Sequence, residues 1–364
     1  MTLHTSKGLR KAPSMEPLIT RPPIKLDHIR TLTNRTGIME HSKFTIPDRQ
    51  KGYTTDDNAR ALVAVLKYYE AQRDPDVLDL LRIYLSFLLQ MQQADGRFFN
   101  RMDSDLHIHD DALTDAQGQA LWACGYAAHA AIEAGMRSVA KEVFDKGLRW
   151  SFTSSSPRIK AYTLRGLHHY HKAFPSDANV PVNLHALAEQ LTALYHTHAT
   201  SDWRWFEPYL TYANATLPHA LFLAYDSTGE NEFFAVAHKS LAFLLSVQFV
   251  QGIFVPIGNH GWYLKGGTRA LYDQQPIEAA HMIEAVSTAH RVTGEECYQR
   301  IAKIVFNWFF GQNLKGVTLY DPATGGCCDG ITSEGSNLNQ GAESAIAYLL
   351  ARTEIDAMET RPTL

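Results

Sequence analysis

The chain has 364 residues, with 34 Lys and Arg against 38 Asp and Glu, so its formal net charge is −4 with histidine neutral. This balance argues against a nucleic-acid partner, because phosphate contacts require a clearly basic surface. The composition is 45% hydrophobic and 20% charged, which excludes a disordered chain and predicts a packed core. The length is compatible with two domains or with one large ring of repeated units.

Apolar residues recur at helical spacing along most of the chain, and alternating strand patterns are almost absent. We predict helices over 25–32, 58–73, 76–94, 115–134, 138–151, 157–173, 182–198, 214–226, 232–250, 276–293, 296–312 and 341–352. Short turns join these helices in pairs, which indicates antiparallel hairpins. Most pairs are connected by longer links, at 33–57, 96–114, 199–213, 251–275 and 313–340, with one short exception near 152–156.

A sequence repeat supports the division into hairpins. The residues Phe-Leu-Leu, Gln, Gly and Phe of segment 87–98 recur at the same spacing in segment 243–254, and a degraded copy follows at 308–316. In each copy a helix ends and a glycine turns the chain. Because repeats of this kind indicate stacked units, we predict an all-α fold, an (α/α)6 toroid of about six helical hairpins. An open α-solenoid is the alternative.

We place the toroidal, catalytic-type domain at residues 35–354, after an N-terminal extension and first helix over 1–34 and before a tail over 355–364. No segment has the roughly 20 apolar residues of a membrane span, and residues 1–20 lack the apolar run of a secretory signal. The four cysteines form no CxxC pair, and free thiols are the expectation. We therefore expect a cytoplasmic protein without membrane contact.

In a closed ring the long links share one rim, where functional side chains usually collect. The first link carries Tyr53, Asp56 and Asp57, with Arg60 one turn further on. Helix capping is the alternative explanation for one of the two carboxylates, but it does not explain the presence of both. The whole cluster suits the binding of sugar hydroxyl groups.

The second link is rich in aspartate and histidine between Asp103 and Asp115. Divalent metals accept such ligands, but the spacing matches no metal signature, and we favour a solvated acidic loop with a few functional carboxylates, among them Asp111. Asp115 is a further candidate, unless it only caps its helix. No motif in the chain assigns a metal or a cofactor.

The link before the eighth predicted helix places Trp203 and Trp205 around Glu207, with Asn214 at the helix start. Aromatic rings match the flat C–H faces of sugars, so these residues are candidates for a glycan subsite. The alternative is that the two indoles plug the end of the barrel. The last two links add further candidates at or near helix starts, namely Trp262, Asp273, Gln275, Glu278, Asn339 and Glu343.

Segments 41–60, 115–122, 273–280, 320–326 and 337–344 resemble the glycosidase-like helical proteins that occur alone or fused to group 1 glycosyltransferases. Those proteins are in turn similar to the six-hairpin glycosidase superfamily. The resemblance covers residues 35–351 and implies an (α/α)6 toroid with carbohydrate chemistry. It also implies an oligosaccharide as partner and a functional link to a glycosyltransferase.

Cleavage of a glycosidic bond requires two carboxyl groups. If the inner helices follow sequence order, Asp56 and Asp57 lie opposite Glu207. We hypothesise an inverting glycoside hydrolase for a small neutral oligosaccharide of mannose or glucose, with Glu207 as general acid and Asp57 as general base. A second pairing across the ring would place Asp110, Asp111 and Asp115 opposite Asp273 and Glu278.

Three other functions remain open from the sequence. A sugar epimerase or isomerase would use histidines such as His260 and His281 as bases. A glycoside phosphorylase would need rim cations, and the candidates are Arg49, Lys51, Arg60 and Arg269. A non-catalytic glycan-binding partner of a glycosyltransferase would bind a glycan without turnover.

Overall fold

The computed structural model describes residues 21–109 and 114–360, and most of them are helical. The α-helices are α1 Asp27–Leu32, α2 Thr55–Gln72, α3 Leu78–Met91, α4 Ala116–His129, α5 Ala134–Gly147, α6 Arg149–Thr153, α7 Pro157–Ala173, α8 Asn179–His198, α9 Thr216–Thr228, α10 Asn231–Gln248, α11 Pro276–Thr293, α12 Glu296–Asn307 and α13 Ala342–Thr360. Short 3₁₀ helices span Arg49–Lys51 and Pro75–Val77. Within these two stretches of chain, no helix is long and apolar enough to cross a lipid bilayer.

Six helices form a closed inner ring. Helices α2, α4, α7, α9, α11 and α13 pack side by side in this order, and α13 packs against α2. Helices α3, α5, α8, α10 and α12 each pack outside the inner helix that precedes them, and α1 packs on α13. The predicted (α/α)6 toroid is therefore confirmed.

The two rings differ in how their residues are buried. Inner helix α4 is buried at every position from Ala116 to Ala128, because neighbours cover it on all sides. Outer helix α12 buries only Tyr298, Ala302, Val305 and Phe306, a single stripe at helical spacing. Inner helix α4 is therefore enclosed by the protein, whereas outer helix α12 buries one face only.

The contact between α4 and α7 depends on glycine. A Cβ atom on Gly125 would lie 2.3 Å from the carbonyl oxygen of Gly166, and one on Gly166 would lie 2.5 Å from that of Leu121. The two backbones thus approach more closely than side chains would allow. This contact lies inside the inner ring and fixes the spacing of its second and third helices.

The links from outer to inner helices meet at one rim and are joined by two-residue strands. These are β1 Ser42–Lys43, β2 Ile46–Pro47, β3 Tyr53–Thr54, β4 Arg101–Met102, β5 Ile108–His109, β6 Tyr209–Leu210, β7 Phe249–Val250, β8 Ile253–Phe254, β9 Tyr263–Leu264, β10 Gly330–Ile331 and β11 Ser336–Asn337. All pairings are antiparallel, in the sheets β1-β2, β3-β4-β5, β6-β9, β7-β8 and β10-β11. The β3-β4-β5 and β6-β9 pairings join different links, so the rim is a connected surface.

The sequence repeat has a structural counterpart. Where α3 and α10 end, the chain turns back on itself, with Gln92 bridged to Phe98 and Phe249 paired with Phe254. The repeated glycines, Gly96 and Gly252, have φ angles of 95° and 84°, which glycine adopts without steric cost. The degraded copy after α12 also turns back, through a bridge between Phe310 and Thr318.

Some element boundaries differ from the sequence expectation. Helix α13 continues to Thr360, beyond the predicted end at 352, and α5 begins at Ala134 rather than at 138. A short helix, α6, spans Arg149–Thr153 and so overlaps the end of the predicted helix 138–151 and the start of the short link near 152–156. Residues 110–113 of the second link, which include the candidate Asp111, lie outside the described residues.

Candidate active site

The rim holds a cavity of about 500 Å³, which we call the rim cavity. Its wall comes from the starts of α2, α11 and α13, three neighbouring inner helices, and from the links that precede them. The described lining includes six carboxylates, which are Glu40, Asp56, Asp57, Asp273, Asp329 and Glu343. Two basic side chains, Arg60 and His41, also line it.

Asp57 is the most buried of these carboxylates, with 3% of its surface exposed. Thr54, the N-cap residue of α2, donates its hydroxyl to Asp57 Oδ2 at 2.8 Å, and Arg60 Nη2 donates to Oδ1 at 2.7 Å. The pKa of Asp57 is raised to about 7, mainly by burial and also by the nearby charges of Asp56 and Glu343, while Arg60 lowers it. A carboxyl group with this pKa is able to exchange a proton near neutral pH.

Arg60 holds the acidic wall together. Its guanidinium lies 3.0 Å from Glu343 Oε2 and 3.5 Å from Asp56 Oδ2, besides its bond to Asp57. Burial raises the pKa of Glu343 although Arg60 counteracts this effect. The first and last inner helices are therefore joined by one cation at the wall of the cavity.

Another part of the wall belongs to the link before α11. Asp273 has a φ angle of 53°, which is uncommon outside glycine, and its side chain is 41% exposed. His260 Nδ1 lies 4.0 Å from Asp273 Oδ2 but is 88% exposed. Gln275 is the N-cap residue of α11, makes no side-chain capping bond and lines the cavity.

The proposed general acid Glu207 does not line the cavity. Its carboxylate is 8% exposed and pairs with Arg158 at 3.0 Å, while Trp203 Nε1 donates to its carbonyl oxygen at 2.7 Å. Glu207 is thus paired with a side chain of α7 and is not among the residues that line the rim cavity with Asp57.

The two tryptophans near Glu207 belong to the core. Trp203 is 3% exposed and Trp205 is fully buried, and both rings pack against Phe243 of α10. A ring enclosed in this way has no free face for a sugar. The burial of both indoles agrees with the alternative prediction that they plug the end of the barrel. It does not agree with a glycan subsite.

Glu278 and Asn214 brace the loop before α9. Glu278 accepts hydrogen bonds from the backbone N–H of Ala213 and, at 3.0 Å, from Asn214 Nδ2. Ala213 has a φ angle of 49°, so the carboxylate stabilises a strained turn. Burial raises the pKa of Glu278 to about 7, but the group is 3% exposed and does not line the cavity.

Four other candidates also lie outside the described cavity wall. Asp115 makes no capping bond, and instead accepts hydrogen bonds from Ser156 at 2.7 Å and from Tyr212. Tyr53 is buried and accepts a bond from Asn34 at 2.6 Å. Trp262 is half-buried, and Asn339 accepts a bond from the Phe44 N–H.

The described part of the second link contains one group of potential metal ligands, Asp103, Asp105 and His107. Asp103 Oδ1 accepts the backbone N–H groups of Asp105 and His107, each at 2.9 Å. These bonds form a compact turn, and they account for the position of the carboxylate. The sequence expectation of an acidic solvated loop fits this arrangement.

The sequence analysis did not select several lining residues. Asp329 follows two cysteines in the last link and accepts the Gly341 N–H at 2.7 Å, and burial raises its pKa. Glu40 lies 3.4 Å from His41, and the pKa of His41 is raised mainly by this contact. One sequence signal could have identified Asp329, because it is an acidic residue directly before a glycine in a rim link.

A second cavity of about 250 Å³ lies among the middle and C-terminal parts of the inner helices. Its charges largely pair with one another, since Lys67 binds Glu284 and Glu354 at 2.8 Å each and Arg165 binds Glu284 at 2.7 Å. His281 lies beside this network, bonded to Tyr162 and Glu284, and burial lowers its pKa to about 4. His281 is fully buried and does not line the rim cavity.

Comparison with solved structures shows likeness over nearly the whole chain at low sequence identity. A cellobiose 2-epimerase from Bacillus thermoamylovorans B4167 has a TM-score of 0.71 at 10% identity, covering 93% of this chain and 96% of that chain. A D-mannose isomerase has a TM-score of 0.69 at 13% identity, with coverage of 91% and 95%. The GH76A α-1,6-mannanase from Salegentibacter sp. HEL1_6 has a TM-score of 0.60 at 10% identity, covering 91% of this chain and 96% of that chain.

No family model and no curated protein matches the chain in sequence. The structural likeness, at these identities, establishes the fold. That fold is an (α/α)6 toroid, as the resemblance of the rim segments implied. Carbohydrate-processing enzymes use this fold.

Proposed function

We propose that the protein is a glycoside hydrolase, with the rim cavity as its active site and a neutral oligosaccharide as its substrate. The observation that carries the proposal is Asp57, a buried carboxyl group with a pKa of about 7 on the wall of a polar cavity. A general acid must hold its proton at the working pH and release it to the leaving oxygen. Asp57 suits this role better than Glu207, which is paired with Arg158.

Asp273 is the proposed general base. It lies on a different link from Asp57, and its side chain is 41% exposed, so water has access to it. Its left-handed backbone conformation is of the kind that persists where surrounding structure fixes a functional side chain. An inverting mechanism would require about 6.5–9.5 Å between the two carboxyl groups.

The charge of the cavity favours a neutral sugar. Six carboxylates face only Arg60 and His41 among the described ionisable lining residues. This excess repels sulfated, phosphorylated or uronic sugars, whereas carboxylates accept hydrogen bonds from sugar hydroxyl groups. Linked mannose is a rational first substrate, because an inactive variant of the GH76A mannanase, with two adjacent aspartates replaced, forms a complex with α-1,6-mannotetrose.

A sugar epimerase is the second candidate. His41 lines the cavity with its side chain 52% exposed, and such an imidazole could remove a proton next to a sugar carbonyl. Two solved structures with epimerase or isomerase activity also share the fold. The buried His281 and the exposed His260 are less suited to this step.

The cytoplasmic location and the link to a glycosyltransferase stay predictions from the sequence.

Proton NMR time courses separate these functions. Purified protein is incubated with α-1,6-mannobiose, α-1,6-mannotriose, cellobiose, mannose and glucose, with and without inorganic phosphate. We expect new reducing ends from an oligosaccharide without a need for phosphate, and their loss in Asp57→Asn. Asp79→Asn, an 85% exposed side chain on α3, is the matched control and should keep the activity. A change at C2 without bond cleavage would support the epimerase instead.

A further inference from the structure

A strained, exposed phenylalanine stands beside the rim cavity. Phe44 occupies the first position of the two-residue turn between β1 and β2, with a φ angle of 52°. Two-residue hairpins commonly place glycine where φ is positive, because a side chain there is strained. Phe44 nevertheless has 54% of its surface exposed, so burial in the core does not offset this strain.

Three hydrogen bonds hold this turn in place. The Phe44 N–H donates to Asn339 Oδ1 at 3.0 Å, and the Phe44 carbonyl accepts from Gln340 N–H at 2.9 Å and from the Ser42 hydroxyl at 2.7 Å. The first link is thus fastened to the segment that leads into α13 and Glu343. A backbone outlier that is fixed in this way is a signal for function.

Two more exposed apolar side chains lie on the same pair of segments. Ile46 is 67% exposed and Leu338 is 55% exposed. Together with Phe44 they form what we call the shelf. Both segments continue from the cavity wall. The lining residue His41 lies three residues before Phe44, and the lining residue Asn337 directly precedes Leu338. Single exposed apolar residues are ordinary, but here three of them share two hydrogen-bonded segments that continue from the cavity wall.

We propose that the shelf is a second sugar subsite, where a pyranose ring of a substrate longer than the cavity stacks on Phe44. This proposal rests on the proposed hydrolase function and defines its substrate class as oligosaccharides that extend out of the rim cavity. The flat C–H face of a pyranose complements an aromatic ring. Ile46 and Leu338 provide apolar surface beside it, while Asn337 and Glu40 on the adjoining wall offer polar contacts to the hydroxyl groups.

The test uses Phe44→Gly, which removes the ring and suits the positive φ angle. The control is Leu106→Gly, because Leu106 is 52% exposed with a φ angle of 67° in another rim link. Calorimetry measures binding of α-1,6-mannobiose, α-1,6-mannotriose and α-1,6-mannotetraose to each variant in the Asp57→Asn background, and thermal unfolding checks the fold. NMR assays of the corresponding variants with Asp57 intact measure turnover.

We expect Phe44→Gly to weaken binding of the longest oligosaccharide about fivefold, with little effect on the disaccharide and no fall in Tm. Leu106→Gly should bind all three ligands as the parent does. Equal affinity of Phe44→Gly and its parent at every length, with turnover intact, would overturn the shelf alone. Weaker binding of octyl glycosides but not of free oligosaccharides would make the occupant an apolar aglycone and also overturn the proposal. Absence of both binding and turnover in the intact protein would refute the hydrolase and the shelf together.

Discussion

At the scale of single residues, the protonation of Asp57 determines the proposed chemistry. Its hydrogen bonds to Thr54 and Arg60 fix the carboxyl group, and burial keeps its pKa near 7. A general acid works only in its protonated form. The Asp57 side chain should therefore be active below about pH 7 and lose its function as pH rises through that value.

The pH profile of kcat/KM checks this assignment. We expect a fall on the alkaline side with an apparent pKa near 7, and a loss of about 10²-fold to 10⁴-fold for Asp57→Asn at pH 6. The alkaline limb should vanish from any residual activity of the variant. An unchanged alkaline limb in Asp57→Asn would assign the proton to another group.

For Glu207 we predict a role in stability, in contrast to the catalytic role of Asp57. Because its carboxylate neutralises Arg158 inside the protein, Glu207→Gln should lower the free energy of unfolding by about 3–5 kcal/mol. The catalytic rate per folded molecule should change little. Urea unfolding and kcat, measured on the same preparations, check both parts. A large loss of kcat with unchanged unfolding would restore Glu207 as a catalytic residue.

At the scale of elements, close packing between the inner helices stabilises the barrel. Gly166 of α7 faces the backbone of Leu121 so closely that an added Cβ atom would lie 2.5 Å from its carbonyl oxygen. Gly166→Ala should therefore force α4 and α7 apart and destabilise the fold by about 1–3 kcal/mol. Thermal unfolding measures the effect.

Gly135 of α5 is the matched control for this substitution. An added Cβ atom there would meet nothing within 4 Å, and alanine favours a helix over glycine. Gly135→Ala should leave the stability unchanged or raise it by up to about 1 kcal/mol. Equal effects of the two substitutions would show that the helix contact does not depend on Gly166.

The helices were predictable because their signal is local. The spacing of apolar residues and the lengths of the connections give the hairpins, and α7 and α11 have the predicted bounds. The direction in which a loop side chain points is not determined by the neighbouring sequence. Trp205 points inward because Phe243, in a helix further along the chain, offers it a partner. Glu207 likewise pairs with Arg158, 49 positions away.

At the scale of the whole molecule, the ring is completed by the two ends of the described chain. Helix α1 packs on α13 in the place of a sixth outer helix, with Ile29 and Leu32 buried. His28 Nε2 also lies within hydrogen-bonding distance, 2.6 Å, of the Gln340 carbonyl oxygen. The first helix thus supports the segment that carries the cavity residue Glu343.

A chain that begins at residue 35 tests this closure. Loss of the buried Ile29 and Leu32 side chains alone should lower Tm by about 5–10 °C, since each contributes about 1.5–3 kcal/mol, and Leu26 is also buried. The exposed outer face of α13 should also bind a hydrophobic dye. A Tm equal to that of the full chain would show that α1 is dispensable to the ring.

The most direct measurement is a crystal structure of Asp57→Asn with bound α-1,6-mannotriose. The account predicts the sugar in the rim cavity, with a glycosidic oxygen about 3 Å from the side chain of residue 57 and a water beside Asp273 on the other face of the ring. Binding in the second cavity, or a glycosidic oxygen placed at another carboxylate with residue 57 out of reach, would contradict it.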